Sequence, residues 1–212
     1  MTTPLGMAAR TAGAAVAFAI RIVAAPRVVW AGTDPAPVQR IYFANHCSNA
    51  DFPLIWTVLP PELRRRTRPV AASDYWLKNK HREFFGKHVF KAVLIDRRPE
   101  ERDADPLARI RDALDLGDSL IIFPEGRRND TGEPLLPLRA GLYNLSVSHP
   151  EVELVPVWIA NLNRVMPRGE VVPIPMICTV SFGAPLDVRP GEEKDAFLDR
   201  ARGALLAARE AA

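Results

Sequence analysis

Asn-His-Cys-Ser-Asn-Ala-Asp at 45–51 sets an imidazole and a carboxylate five positions apart, directly after the apolar run Ile41–Ala44. On one continuous helix, side chains five apart point about 140° away from each other at roughly 3.6 residues per turn. His46 and Asp51 can therefore meet only if the segment leaves a strand as a loop and turns helical near Asp51-Phe52-Pro53. In that arrangement the carboxylate accepts from one ring nitrogen, fixes the tautomer and leaves the other nitrogen as a base. The plainer alternative makes Asp51 a helix cap and His46 a partly buried strand-end residue. Cys47 invites a nucleophile reading, but neighbouring strand residues point to opposite faces, which favours a small buried side chain.

The stretch Phe-Pro-Glu-Gly-Arg-Arg-Asn-Asp at 123–130 is a second candidate. Pro124 and Gly126 demand a specific turn, from which Glu125, Arg127 and Arg128 project. Guanidinium groups beside free backbone N–H groups suit a phosphate; an exposed charged loop is the alternative. Arg97, closing Ala-Val-Leu-Ile-Asp-Arg, offers another phosphate ligand. The chain has no Gly-rich nucleotide fingerprint, no P-loop and no nucleophile elbow. His46, His81, His88 and His149, with Cys47 and Cys178, lack the spacing of a metal site. The chemistry expected is a metal-free His–carboxylate base with several cations for an anionic substrate.

Short apolar runs alternate with helical patterns along the chain. Strands are expected at 40–44, 69–72, 92–96, 119–123, 153–159 and 176–182. Helices are expected at 52–59, 74–89 with Ser73 as N-cap, 106–116, 140–148 and 192–210, the last with Phe197, Leu198, Ala201, Leu205 and Leu206 on one side. The alternation predicts a single α/β layered domain with a mixed, largely parallel sheet flanked by helices, plus an N-terminal apolar helix. In such folds the polar residues after strand carboxyl ends gather at one edge of the sheet. Three clusters fall there: Asn45–Asp51, Asp96-Arg97-Arg98 and Pro124–Arg128.

With 48% hydrophobic and 25% charged residues in 212, a full core is available, and a net charge of +3 is too mild for a nucleic-acid surface. Arg64-Arg65-Arg66, Arg97-Arg98 and Arg127-Arg128 form a solvated face or one that meets anionic lipid or phosphate. Residues 1–31 read as an N-terminal apolar segment and 32–212 as the main domain, divided near Asp34-Pro35-Ala36-Pro37. The apolar run at 11–20 lies between Arg10 and Arg21 and is shorter than the about 20 residues of a bilayer span. Arg21 also interrupts it as a signal peptide. An Ala-rich helix, lying on a membrane surface or on its own domain, fits better.

Taken together, Asn-His-Cys-Ser-Asn-Ala-Asp, Ile-Asp-Arg, Phe-Pro-Glu-Gly-Arg-Arg and Val-Pro-Val occur in the order seen in the glycerolipid acyltransferases. The pattern most resembles the lysophosphatidate (1-acylglycerol-3-phosphate) acyltransferases, and its blocks span 45–157. The resemblance implies His46 as general base with Asp51 as its partner. It places the acceptor phosphate at Arg97 and Arg128, matches Glu125 and Gly126, and sets Arg127 where the family carries a small Thr. Leu138-Arg139-Ala140-Gly141 resembles a further basic-Gly element, and Val155-Pro156-Val157 the block associated with the acyl-chain site. Lys91 and Leu94 depart from the family's Gly and aromatic residue in the second block. The implied reaction moves an acyl group from acyl-coenzyme A or acyl carrier protein to a lysophospholipid, without a cofactor. The implied setting is an anionic membrane surface, with the enzyme cytoplasmic and peripheral on the inner face of the cell membrane. A thioesterase using the same His, and a non-catalytic lipid-binding module, are the alternatives.

Overall fold

Successive residues of Arg40–Ala44 are all buried, yet they serve two different cores. Tyr42 and Ala44 face one apolar cluster, and Ile41 and Phe43 face the other. A strand covered on both faces reads as a continuous apolar run rather than an alternating one, as this one does. The computed structural model describes residues 3–96, 105, 107–165 and 176–212.

Among the described residues, seven strands form one sheet: β1 (Arg27–Ala31), β2 (Arg40–Ala44), β3 (Thr67–Ala72), β4 (Val93–Ile95), β5 (Ser119–Ile122), β6 (Glu153–Ala160) and β7 (Thr179–Gly183). Their order is β1-β7-β6-β2-β5-β3-β4, parallel throughout except where β6 meets β7. The predicted mixed, largely parallel sheet is what forms. Segment 27–31, assigned above to the N-terminal stretch, is an edge strand whose Trp30 stacks on Phe182 at 4.1 Å. Its partner strand lies about 150 residues away in sequence (Arg27 against Thr179), so no local pattern announces it.

One face of the sheet is covered by α1 (Pro4–Ala24) and α2 (Asp51–Val58), the other by α6 (Ala108–Asp115), α7 (Gly141–Ser148) and α9 (Lys194–Glu210). In α9, Phe197, Ala201, Leu205 and Ala208 are buried, and Leu198 and Leu206 pack at the margin. The expected N-terminal helix is longer than its apolar core, because arginine is a good helix former and does not end a helix. Thr3 caps it, accepting from the Gly6 N–H at 3.2 Å, and Pro4 begins it. At 21 residues and mean hydropathy 1.5, α1 is long and apolar enough to cross a membrane. Its inner side packs on α2, where a Cβ at Gly13 would stand 3.3 Å from the Trp56 ring. Leu5, Met7, Phe18 and Ile22 are exposed on it.

The helix expected at 74–89 is broken into α4 (Ser73–Trp76), α5 (Lys80–Phe84) and a π-helical turn at Phe85–Val89. Asn79 is the reason, since its side chain accepts from the Arg82 N–H at 2.9 Å and starts a new helix. The break brings Trp76 over Gly86, where a Cβ would meet the indole at 3.1 Å. Ser73 is not the N-cap expected of it; Ala72 holds that position, and the Ser73 hydroxyl donates to Asp96 instead. Two short helices had no apolar period to reveal them: α3 (Pro61–Arg66) and α8 (Leu162–Val165).

At the start of α9, Arg200 holds both oxygens of Glu192 at 2.6 Å. That pairing keeps the Glu192 carboxyl at about 2, below its ordinary 4.5. A carboxyl depressed on folding stabilises the fold above its unfolded value and loses that contribution as pH falls. Glu192→Gln is expected to lower the unfolding temperature at neutral pH. Its deficit against wild type should shrink between pH 4.5 and about 2, and thermal scans across that window check it.

Candidate active site

Residues 45–50 form the loop between β2 and α2, and α2 begins at Asp51. This is the loop-to-helix passage that the five-residue spacing requires. The Asp51 side chain is fully buried, and its Oδ2 accepts from His46 Nδ1 at 2.7 Å, Cys47 N at 2.7 Å and Ser48 N at 2.8 Å. A carboxylate can only accept, so Nδ1 carries the ring proton and Nε2 presents a lone pair. The ring is 21% exposed and stacks on Phe123 at 4.2 Å, which fixes its plane. Asp51 is not the N-cap, a position taken by Ala50.

Burial and the neighbouring Asp51 push the Cys47 thiol well above its ordinary range. Its Sγ lies 3.4 Å from Asp51 Oδ1, where a protonated thiol donates. Nucleophilic attack needs the thiolate, so Cys47 is a donor to the carboxylate and not a nucleophile.

Glu125 sits in the turn after β5, the strand paired directly with β2. It is buried; Oε1 accepts from the His46 N–H at 2.7 Å and Oε2 from the Leu136 N–H at 2.8 Å. Burial raises its pKa, and the two backbone N–H bonds work against that rise. The turn is tied to the His loop a second time, by Asn129 N to His46 O at 2.7 Å. Gly126 has φ +70°, and a Cβ there would collide with the Arg139 guanidinium. Arg139 is drawn in by its own backbone N–H to Pro124 O at 2.8 Å and by Nε to Glu125 O at 3.3 Å.

Five of the residues singled out in the sequence are thus brought together: His46, Asp51, Glu125, Gly126 and Arg139. Arg127 is exposed and Arg128 half-buried in the turn that follows Gly126. Arg97 lies outside the described residues, although Asp96 before it is placed at the end of β4, 3.9 Å from Arg109. Val155 and Pro156 are in the interior of β6. Val155 packs in the core on the α1 side, and the Pro156 ring abuts Gly183 of β7. Neither lines the apolar cavity of about 240 Å³ that opens beside His46. That cavity runs between the sheet and α6–α7, walled by Val70, Ile95, Ile110, Ile122, Leu142 and Leu145, with Arg139 and Gly126 at its His46 end.

Two residues within the candidate stretches carry roles that the sequence does not assign them. Asn45 extends the β2–β6 ladder with its side chain, donating to Ile159 O at 3.1 Å and accepting from Ile159 N at 2.8 Å. Phe123, the last residue of the strand expected at 119–123, supports the His46 ring by stacking. An asparagine directly after an apolar run is the available signal for the first; nothing local signals the stacking of the second.

The sequence model of the Acyltransferase family matches residues 27–160. The chain belongs to the acyltransferase family. The match begins at β1 and ends with β6, so it contains the His46 loop and the Glu125 turn. This acyltransferase-family chain is 26% identical over 167 residues to a 1-acyl-sn-glycerol-3-phosphate acyltransferase of Cocos nucifera, across 77% of its own length and 51% of the relative's. It therefore spans about half the length of that curated relative. It shares its fold with the crystal structure of the 1-acyl-sn-glycerophosphate (LPA) acyltransferase PlsC from Thermotoga maritima. The TM-score is 0.71 at 19% identity, covering 96% of this chain and 81% of the other.

Glu125→Ala strands two buried backbone N–H groups, each costing roughly 1–3 kcal/mol. Denaturant unfolding should show a loss of about 2–6 kcal/mol on that reasoning. Glu125→Gln, which keeps one acceptor oxygen, is expected to lose less.

Proposed function

We propose that this protein transfers an acyl group from a thioester to the free hydroxyl of a phosphate-bearing glycerolipid, with 1-acylglycerol-3-phosphate as acceptor and phosphatidate as product. The observation that carries the proposal is the His46 ring, held by a buried Asp51 on one nitrogen and open at the other beside an apolar cavity with a cation at its rim. Membership of the acyltransferase family supports it.

In this reading His46 Nε2 takes the proton of the acceptor hydroxyl as its oxygen attacks the thioester carbonyl. Asp51 stabilises the imidazolium. Collapse of the tetrahedral adduct breaks the C–S bond, and the imidazolium returns its proton to the departing thiolate. A thioester carbonyl is already activated, so neither a covalent acyl-enzyme nor a cofactor is needed. Arg139 and Arg128, with Arg97 and Arg127, hold the acceptor phosphate, while Glu125 keeps the His46 backbone in place. The acyl chain occupies the cavity between the sheet and α6–α7. Acyl-coenzyme A or acyl carrier protein supplies it. The exposed apolar side of α1 rests on the inner face of the cell membrane, so the protein works from the cytoplasmic side.

Thiol release from long-chain acyl-coenzyme A, with and without lysophosphatidate, tests the proposal. Release should require the acceptor and fall by about 10²–10⁴ in His46→Ala, the usual worth of general-base help. Asp51→Asn should also lower kcat, because an amide can present the wrong group to Nδ1. Acceptor-independent release would mean a thioesterase. Silence with both coenzyme A and carrier-protein donors would sink the transferase.

A further inference from the structure

A groove of about 650 Å³ runs between α1 and the α2–α3 corner, far from the His46 loop in the sheet's terms. Its wall includes Thr67, the first residue of β3, which pairs with Ser119 at the start of β5. His46 follows the opposite, carboxyl end of β2, where Phe43 pairs with Ile122. The floor is apolar, formed by Ala9, Gly13, Trp56, Val89 and Phe90. The rim carries Arg10, Arg64, Arg65, His88 and Lys91, with no carboxylate among the described lining residues.

Three observations make this more than a basic patch. Arg64 lies with its guanidinium 5.0 Å over the Trp56 ring, and its buried Nε has no hydrogen-bond partner among the described residues. Both its hydrogen bonds leave from Nη2, to Thr57 O at 2.7 Å and Leu59 O at 2.9 Å. Arg21 also donates to Thr57 O, at 3.2 Å, so two cations converge on one carbonyl. Burial and the nearby Arg21 lower the Arg64 pKa. Lys91 adopts φ +51°, a left-handed backbone rare for a long side chain, and its carbonyl is held there by Arg68 Nε at 2.7 Å.

We propose that this groove is a second lipid site, distinct from the catalytic one, which binds a single anionic phospholipid. Its phosphate sits among Arg64, Arg65, Lys91 and Arg10, and one acyl chain lies across Trp56, Val89 and Phe90. A lipid is favoured over an acidic protein because the cations surround an apolar trough rather than a flat face. The exposed Leu5, Met7, Phe18 and Ile22 of α1 also put an apolar surface on the same helix that forms the trough. The inference does not depend on the acyl-transfer reading.

The test uses the full-length chain and dihexanoyl phosphatidate below its micelle concentration, read by tryptophan fluorescence. Inorganic phosphate and dihexanoyl phosphatidylcholine serve as the other probes. Binding of phosphatidate is expected, with the signal lost in Trp56→Phe and the affinity about tenfold lower in Lys91→Gly and in Arg65→Gln, the scale of one charge-assisted contact. Lys91→Gly removes a left-handed lysine and Arg65 is exposed, so neither change endangers folding. Arg139→Gln should leave this binding unchanged. Phosphatidate binding that depends on Arg139 and not on Lys91 would overturn the proposal in favour of the catalytic site. Equal binding of inorganic phosphate would remove the role of the apolar floor. A response to acidic acyl carrier protein alone, sensitive to Lys91 and Arg65, would make the groove a protein dock.

Discussion

A carboxylate withdrawn from water must be met by donors, and Asp51 is met by three on a single oxygen. Two of them are consecutive backbone N–H groups, so the carboxylate wraps the loop around itself as it orients the imidazole. The loop cannot relax without exposing or orphaning that charge. Glu125 repeats the device from the neighbouring strand, with one backbone N–H on each oxygen. Both acids are thus spent on holding main chain in position. The arginines that the sequence clusters beside Glu125 remain at the turn's surface.

The sheet separates two apolar volumes with different characters. On the α6–α7 side, the cavity beside His46 is walled mainly by apolar side chains, with Arg139 at its His46 end. On the α1 side, the groove is larger and ringed by cations. A parallel sheet has one carboxyl edge, and loops there serve chemistry. The opposite edge carries the α2–α3 corner and the approach to β4, where Arg64 lies in a groove with no carboxylate among its described lining residues. The fold thereby keeps two sets of cations apart, one around the base and one under the N-terminal helix.

Helix α1 links these features to the surroundings. Its small residues allow close approach to α2, and its outward side remains apolar. Only 22% of its most apolar window is buried, so most of that stretch faces outward. It contributes one wall to the groove and one exposed stripe.

Much of this was legible in the chain itself. Runs such as Arg40–Ala44 and Glu153–Ile159 announce buried strands because both faces of the sheet are covered. The His46–Asp51 spacing was readable because only a loop-to-helix passage lets residues five apart meet. What the sequence could not contain was any pairing across distance. The edge strand Arg27–Ala31 is defined by a partner beyond residue 176, Phe123 by the ring it supports, and Asn45 by a strand end more than a hundred residues away. The helix at 74–89 failed as one piece because Asn79 could cap and Trp76 had Gly86 to fold over. Local chemistry determined which residues could act, since propensity and spacing are properties of neighbours. Only the tertiary structure decided which of them face a cavity, because burial and hydrogen-bond satisfaction are settled between segments that the chain keeps far apart.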